Sequence, residues 1–165
     1  MSSCDRRAFL GLWAALAVAA CGFTPAYGPG GAARELLGKV AIDGPSDKNG
    51  FDFVGRLEER LGRPEAAVWN LSYEITTKSV ALGITTSNAI TRYEIVGTVG
   101  YSLRRRDSDQ VVTSGTVKNF TSYSASGTVV STNASERDAY VRLMRILADQ
   151  VVTDLIAATS VPASP

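Results

Sequence analysis

Apolar and polar residues alternate along three long stretches of the chain, and this alternation predicts three long β-strands. The first predicted strand covers residues 68–82 and is followed by a turn over residues 83–88. The second ends at a basic turn over residues 104–109, and the third follows it. The apolar positions are Trp69, Leu71, Tyr73 and Ile75 in the first strand, Tyr93, Ile95, Val99, Tyr101 and Leu103 in the second, and Val111, Val112, Val117, Phe120 and Tyr123 in the third.

Glycines interrupt two of these strands. Gly97 and Gly100 lie within the second, where a glycine indicates a bulge or the close approach of another group. Gly115 interrupts the alternation of the third, which predicts a bulge there.

Two other stretches have helical spacing. In the first, Asn49 is the predicted N-cap, Leu57 and Leu61 share a face, and Gly62 ends the helix. A polar loop over residues 124–132 precedes the second helix, which is predicted to begin at Asn133 and end near residue 158. Its apolar stripe comprises Tyr140, Leu143, Met144, Leu147, Val151, Leu155 and Ile156.

A short strand over residues 39–43 precedes the first helix, so the order is strand, helix, three antiparallel strands, helix. This order predicts an α+β fold, a two-layer sandwich in which two helices cover one face of a four-stranded, mostly antiparallel sheet. The other face of the sheet carries Thr, Ser and Lys side chains, and is therefore available to water or to a partner.

The first 20 residues have the layout of a bacterial export signal. Arg6 and Arg7 precede an uncharged apolar run over residues 8–18, and small residues follow it. The run is shorter than the roughly 20 residues of a membrane span. A twin-arginine signal and a general secretory signal both fit, and a short buried helix is the structural alternative.

Val18, Ala19, Ala20 and Cys21 resemble the lipobox of bacterial lipoproteins, in which the cysteine thiol accepts a diacylglyceryl chain. Cys4, the other cysteine, lies in the segment predicted to be removed, so the mature chain has no partner for a disulfide. We therefore expect Cys21 to carry a covalent lipid that anchors the protein to a membrane. Residues 21–36 are the predicted tether, with little regular structure, and residues 159–165 are a flexible tail.

Composition argues against catalysis and nucleic-acid binding. Removing 20 of the 165 residues leaves 145, which suits one domain. Seventeen Lys and Arg balance 16 Asp and Glu, which gives no overall attraction to nucleic acid. Histidine is absent, and it is the commonest general base and metal ligand, so we expect neither an enzyme nor a metal or other cofactor. A periplasmic hydrolase that uses Ser or Asp is the catalytic alternative.

Four segments carry a resemblance to a known family. They are residues 21–28 (CGFTPAYG), 91–103, 115–126 and 134–155. Their order and content are similar to those of the LptE family of lipopolysaccharide-assembly lipoproteins, particularly its alphaproteobacterial members. The sequence departs from the family pattern over residues 129–132, where a Tyr-Ala or Phe-Ala pair is usual.

The resemblance implies an LptE-like domain over residues 37–158 and a role without catalysis. It implies an outer-membrane lipoprotein, on the periplasmic side, that plugs the LptD barrel and assists its assembly for delivery of lipopolysaccharide to the outer leaflet. LptD and lipopolysaccharide are then the partners. A pilot or structural accessory of another outer-membrane machine is the alternative.

The basic turn offers a candidate contact for lipopolysaccharide. Arg104, Arg105 and Arg106 are consecutive, and Lys118 lies on the returning strand. Arginine matches phosphate oxygens with paired hydrogen bonds, so these four residues are the candidate site. In the alternative interpretation, Asp107 and Asp109 neutralise the arginines, and the turn only keeps the sheet edge soluble.

Overall fold

The computed structural model describes Gly28, Gly31, residues 33–84 and residues 90–160. The predictions for the export signal, for Cys21, for most of the tether and for the last five residues lie outside the described residues. The elements, in chain order, are α1 (Ala33–Leu36), β1 (Val40–Ile42), α2 (Lys48–Leu61), β2 (Trp69–Ile84), β3 (Ile90–Arg105), β4 (Val111–Ser124) and α3 (Val129–Ser160).

The strands form one four-stranded sheet in the order β1-β2-β3-β4. β1 pairs parallel with the start of β2, and α2 connects the two. The other two pairings are antiparallel, and they align Val99 with Ile75 on one side and with Val117 on the other. The predicted α+β fold with a mostly antiparallel sheet is therefore confirmed.

One face of this sheet forms the core. Odd-numbered residues of the three long strands face the helices, and among them Leu71, Val99 and Leu103 are fully buried. They pack with the apolar sides of α2 and α3 in one cluster. A bidentate pair joins the helices, because Arg56 donates from Nε and Nη2 to the two carboxylate oxygens of Asp149, each at 3.0 Å. These hydrogen bonds raise the pKa of Arg56.

Both long helices begin earlier than predicted. Asp47 caps α2, since the Gly50 N–H donates to its Oδ1 at 2.6 Å, and Asn49 lies inside the helix. α3 begins at Val129, inside the predicted loop, and the Ser131 N–H donates to Thr128 Oγ1 at 3.3 Å. The predictions of caps at Asn49 and Asn133 are wrong, because an earlier residue of each polar run supplied the capping oxygen.

The three strand glycines have different roles. A Cβ at Gly97 would lie 2.8 Å from Leu147 Cδ1 and 3.0 Å from Leu143 Cδ2, so the predicted close approach is confirmed there. A Cβ at Gly100 would meet open space. The bulge predicted at Gly115 is wrong: Gly115 pairs in register with Tyr101 and leaves room for its ring, and the irregularity lies between Leu103 and Arg104.

The end of the predicted tether is structured. Residues 33–36 form α1, in which Ala33 and Leu36 are buried, so the prediction of little regular structure is wrong for this turn. The indole N–H of Trp69 donates to the Glu35 carbonyl oxygen at 3.4 Å. α1 therefore lies at the end of the sheet where β2 begins.

Candidate partner-binding surface

The sheet face opposite the helices, called the open face here, is a broad polar surface. Even-numbered residues line it, and the register places Ser72, Ser102 and Ser114 in one row across three strands. A second row of the same face, separated from the first by the row of Gly100, contains Thr76, Thr98 and Lys118. The serine and threonine hydroxyls of these rows offer donors and acceptors to water or to a partner, as the sequence predicts.

An apolar strip crosses the open face near the far end of the strands. Phe120 pairs with Val96, and Val80 lies diagonally across from Val96. Phe120 is 61% exposed and Val80 is 37% exposed. Phe120 was predicted to lie on the same apolar side as Val117 and Tyr123, which are buried. This prediction is wrong, because the odd spacing between Phe120 and these residues places it on the opposite face.

The basic turn is shorter than predicted, because β3 continues to Arg105. Arg104 lies on the open face, with Nη1 3.5 Å from Asp109 Oδ2. Arg105 lies on the helix side, with its guanidinium carbon 5.0 Å from the centroid of the Trp69 ring and Nη1 3.9 Å from Asp107 Oδ2. Exposed ion pairs of this kind contribute only about 0–1 kcal/mol each, so the arginines are partly neutralised and remain accessible.

Arg106 lies in the turn, and its backbone N–H donates to the Val68 carbonyl oxygen at 2.9 Å. Within the described residues no carboxylate forms an ion pair with its side chain. Arg106 is therefore the arginine of this turn whose charge is least compensated.

Lys118 does not join the arginines. The register places it opposite Thr98, six residues from Arg104 along β3. At about 3.3 Å per residue this separates the two positions by about 20 Å. The four predicted contact residues thus form a cluster of three arginines and a distant lysine. The alternation within single strands does not predict this separation, because it does not fix which residues of β3 and β4 pair.

A groove of about 400 Å³ lies between β4 and α3, lined in part by Val117, Ile146 and Gln150. At its end the Tyr101 hydroxyl donates to Asp154 Oδ2 at 3.0 Å. Burial, and then this hydrogen bond, raises the pKa of Tyr101 to about 12. The phenol is therefore protonated at neutral pH and ties α3 to the sheet, which is a structural role.

Other kinds of site find no support in the described part of the chain. No group of three or more His, Cys, Asp or Glu side chains is placed to hold a metal ion there. Among the same residues, none of the helices has both the length and the apolar character that crossing a membrane requires.

Solved structures share this architecture. A Caulobacter crescentus protein superposes with a TM-score of 0.67 at 16% identity, covering 79% of this chain and 97% of its own. The minor lipoprotein of Acinetobacter baumannii gives 0.61 at 20% identity, covering 78% and 98%. Rare lipoprotein B of Shewanella oneidensis gives 0.56 at 12% identity, covering 74% and 94%. Among curated proteins, none matches this sequence.

The fold and its open face therefore define a small two-layer α+β domain of a type that occurs in bacterial lipoproteins. The model of the LptE family, described as lipopolysaccharide-assembly, matches residues 37–155. This chain belongs to the LptE lipopolysaccharide-assembly family, as the resemblance of its sequence indicated.

Proposed function

We propose that this protein is an outer-membrane lipoprotein, anchored through Cys21 on the periplasmic side, that plugs the LptD barrel and assists its assembly. LptD would then deliver lipopolysaccharide to the outer leaflet. The observation that carries this proposal is the family match over residues 37–155, which spans the whole sheet and most of α3. The lipobox-like residues before Cys21 support the anchor.

The shape and polarity of the domain fit a plug. The lumen of a membrane barrel is polar, so a body that fills it needs a surface that can exchange hydrogen bonds and hold water. The serine and threonine rows of the open face provide such a surface. The core is closed by α2 and α3, so the domain can present this face as a rigid unit.

Affinity purification of the tagged protein from solubilised outer membranes tests the proposal. We expect LptD to be recovered as the main partner. Recovery of a different outer-membrane machine without LptD would support the alternative, a pilot or accessory lipoprotein of that machine.

Within this function, we propose that the turn carrying Arg104, Arg105 and Arg106 contacts the phosphates of lipopolysaccharide. Arg106 has the least compensated charge, and Arg104 reaches the open face. We expect the double substitution Arg104→Glu and Arg106→Glu to weaken lipopolysaccharide binding by at least about tenfold at low salt, since charge-assisted bonds are lost.

The measurement is binding of purified lipopolysaccharide to the protein without residues 1–20 and with Cys21→Ser. Lys118→Glu is the matched control, because it reverses one charge about 20 Å away. It should leave this contact intact. Unchanged binding by the double variant would reject the contact, and lost association with LptD at unchanged lipid binding would reassign the turn to the protein interface.

A further inference from the structure

The outer edge of β2 is largely unpaired. β1 pairs only with Trp69, Asn70 and Leu71, and the Asp43 N–H then donates to the Leu71 carbonyl oxygen at 3.0 Å. Beyond this point, over residues 72–84, no strand in the described part of the chain lies along this edge. An unpaired edge of this length is a template for another strand.

The far half of this edge is also exposed on both sides. Lys78, Ser79, Val80 and Ala81 are consecutive strand residues and all are exposed, although their side chains alternate between the two faces. Leu82, which follows them, is 54% exposed. This segment therefore presents two faces and one edge to its surroundings.

The direction of the backbone groups follows from their partners. The Trp69 N–H donates to the Lys39 carbonyl oxygen, and the Leu71 carbonyl oxygen accepts from the Asp43 N–H. The backbone N–H and C=O groups of odd-numbered residues of β2 therefore point away from β3. Because a strand repeats every two residues, the same backbone groups point away from β3 at Tyr73, Ile75, Thr77, Ser79 and Ala81. This row of donors and acceptors is complementary to one kind of ligand, an extended backbone.

We infer that residues 73–81 of β2 bind an extended segment of the partner barrel protein by addition of a strand to the sheet. This inference rests on the proposed function and specifies one part of that interface. The strands of a closed barrel already pair with one another, so the added strand must come from a loop or terminal segment of the barrel protein that enters the lumen.

The side chains of the edge define the segment further. Lys78 is the single charged residue between Glu74 and Arg92 in the sequence, so a carboxylate opposite it would be favourable. Val80, which belongs to the apolar strip of the open face, favours an apolar side chain opposite it.

A second copy of this chain fits the edge less well. β1 occupies the edge of β2 as far as Leu71, and β2 ends at Ile84. An antiparallel second copy therefore avoids β1 only if its own Ile84 pairs with Ser72 or with a later residue. That limiting register places Lys78 opposite Lys78, which is unfavourable. Residues 21–32 of the chain itself contain Pro25 and Pro29 and four glycines, which form strands poorly.

Ser79→Pro tests the inference. It removes an outward N–H and no ladder bond to β3, and proline is tolerated at such edge positions. Ser79→Ala, which keeps the N–H, is one control. Thr116→Pro is the other control. The Ser122 carbonyl oxygen accepts from Arg142 Nη2, so the backbone N–H and C=O groups of even-numbered residues of β4 point outward. Thr116→Pro therefore removes an outward N–H from the opposite edge of the sheet.

Each tagged full-length variant is purified from solubilised outer membranes, and the recovered LptD is quantified. We expect Ser79→Pro to reduce recovery at least tenfold and both controls to retain it. Wild-type recovery with Ser79→Pro, or loss only with Thr116→Pro, would overturn the inference while leaving the proposed function intact. Absence of LptD from the wild-type preparation would instead reject the proposed function.

Two further measurements complete the test. If Ser79→Pro loses the wild-type circular dichroism spectrum, a photo-crosslinker is placed at Val80 of the otherwise wild-type protein, and one at Phe51 on α2 is the reference. A cross-link from Val80 to LptD supports the inference, and its absence overturns it. Light scattering of the purified wild-type protein is the other measurement. A dimer that Ser79→Pro dissociates would assign the edge to a second copy and overturn the inference.

Discussion

Replacement of Cys21 by alanine is expected to transfer the protein from the membrane fraction to the soluble fraction, or to leave the precursor unprocessed. The reason is that the lipid chains are the proposed attachment to the bilayer, at about 0.8 kcal/mol for each buried CH₂ group. A single chain binds only marginally, and the several chains of a lipoprotein bind firmly. Membrane fractionation and intact-mass analysis of the purified protein measure the effect.

Cys4→Ala is the matched control, because Cys4 lies in the segment predicted to be removed. It should change neither the location nor the mass of the mature protein. An unmodified Cys21 thiol in membrane-bound wild-type protein would contradict the anchor.

Gly97→Val is expected to destabilise the domain by about 3 kcal/mol, the upper range for overpacking a core. A Cβ at this position already approaches Leu147 Cδ1 to 2.8 Å, and valine adds two further carbons beneath α3. The free energy of unfolding from urea denaturation gives the measurement.

Gly100→Val makes the same change three residues away, where a Cβ meets open space, and should alter stability by no more than about 0.5 kcal/mol. Gly97→Val combined with Leu147→Ala should cost less stability than the sum of the two single substitutions, because the two side chains compete for one space. Equal stability of Gly97→Val and the wild type would contradict the packing of α3 on β3.

The period of apolar residues was sufficient to predict the strands and the core face of both long helices. Leu71, Val99 and Leu103 lie where the alternation places them, and the stripe that includes Leu143 and Leu147 is buried. Helix starts were less predictable. Serine, threonine and asparagine favour caps and loops alike, so the run from Ser124 to Asn133 offered several starting points, and Thr128 supplied the capping oxygen.

The candidate surface could be predicted only in part. The polar character of the open face follows from alternation within single strands. The separation of Lys118 from the arginines and the unpaired edge of β2 depend on register and strand order, which are properties of pairs of strands. Phe120 is a different case, because its odd spacing from Val117 within one strand already indicated the open face, and its hydrophobicity obscured that signal.

The proposed association with LptD is tested by the composition of the purified complex. The tagged protein is isolated from solubilised outer membranes and its partners are identified and weighed by native mass spectrometry. We expect a stable complex of one copy of this chain with one LptD barrel. Recovery of this protein without LptD, together with an LptD barrel that assembles and purifies alone from cells depleted of this protein, would contradict it.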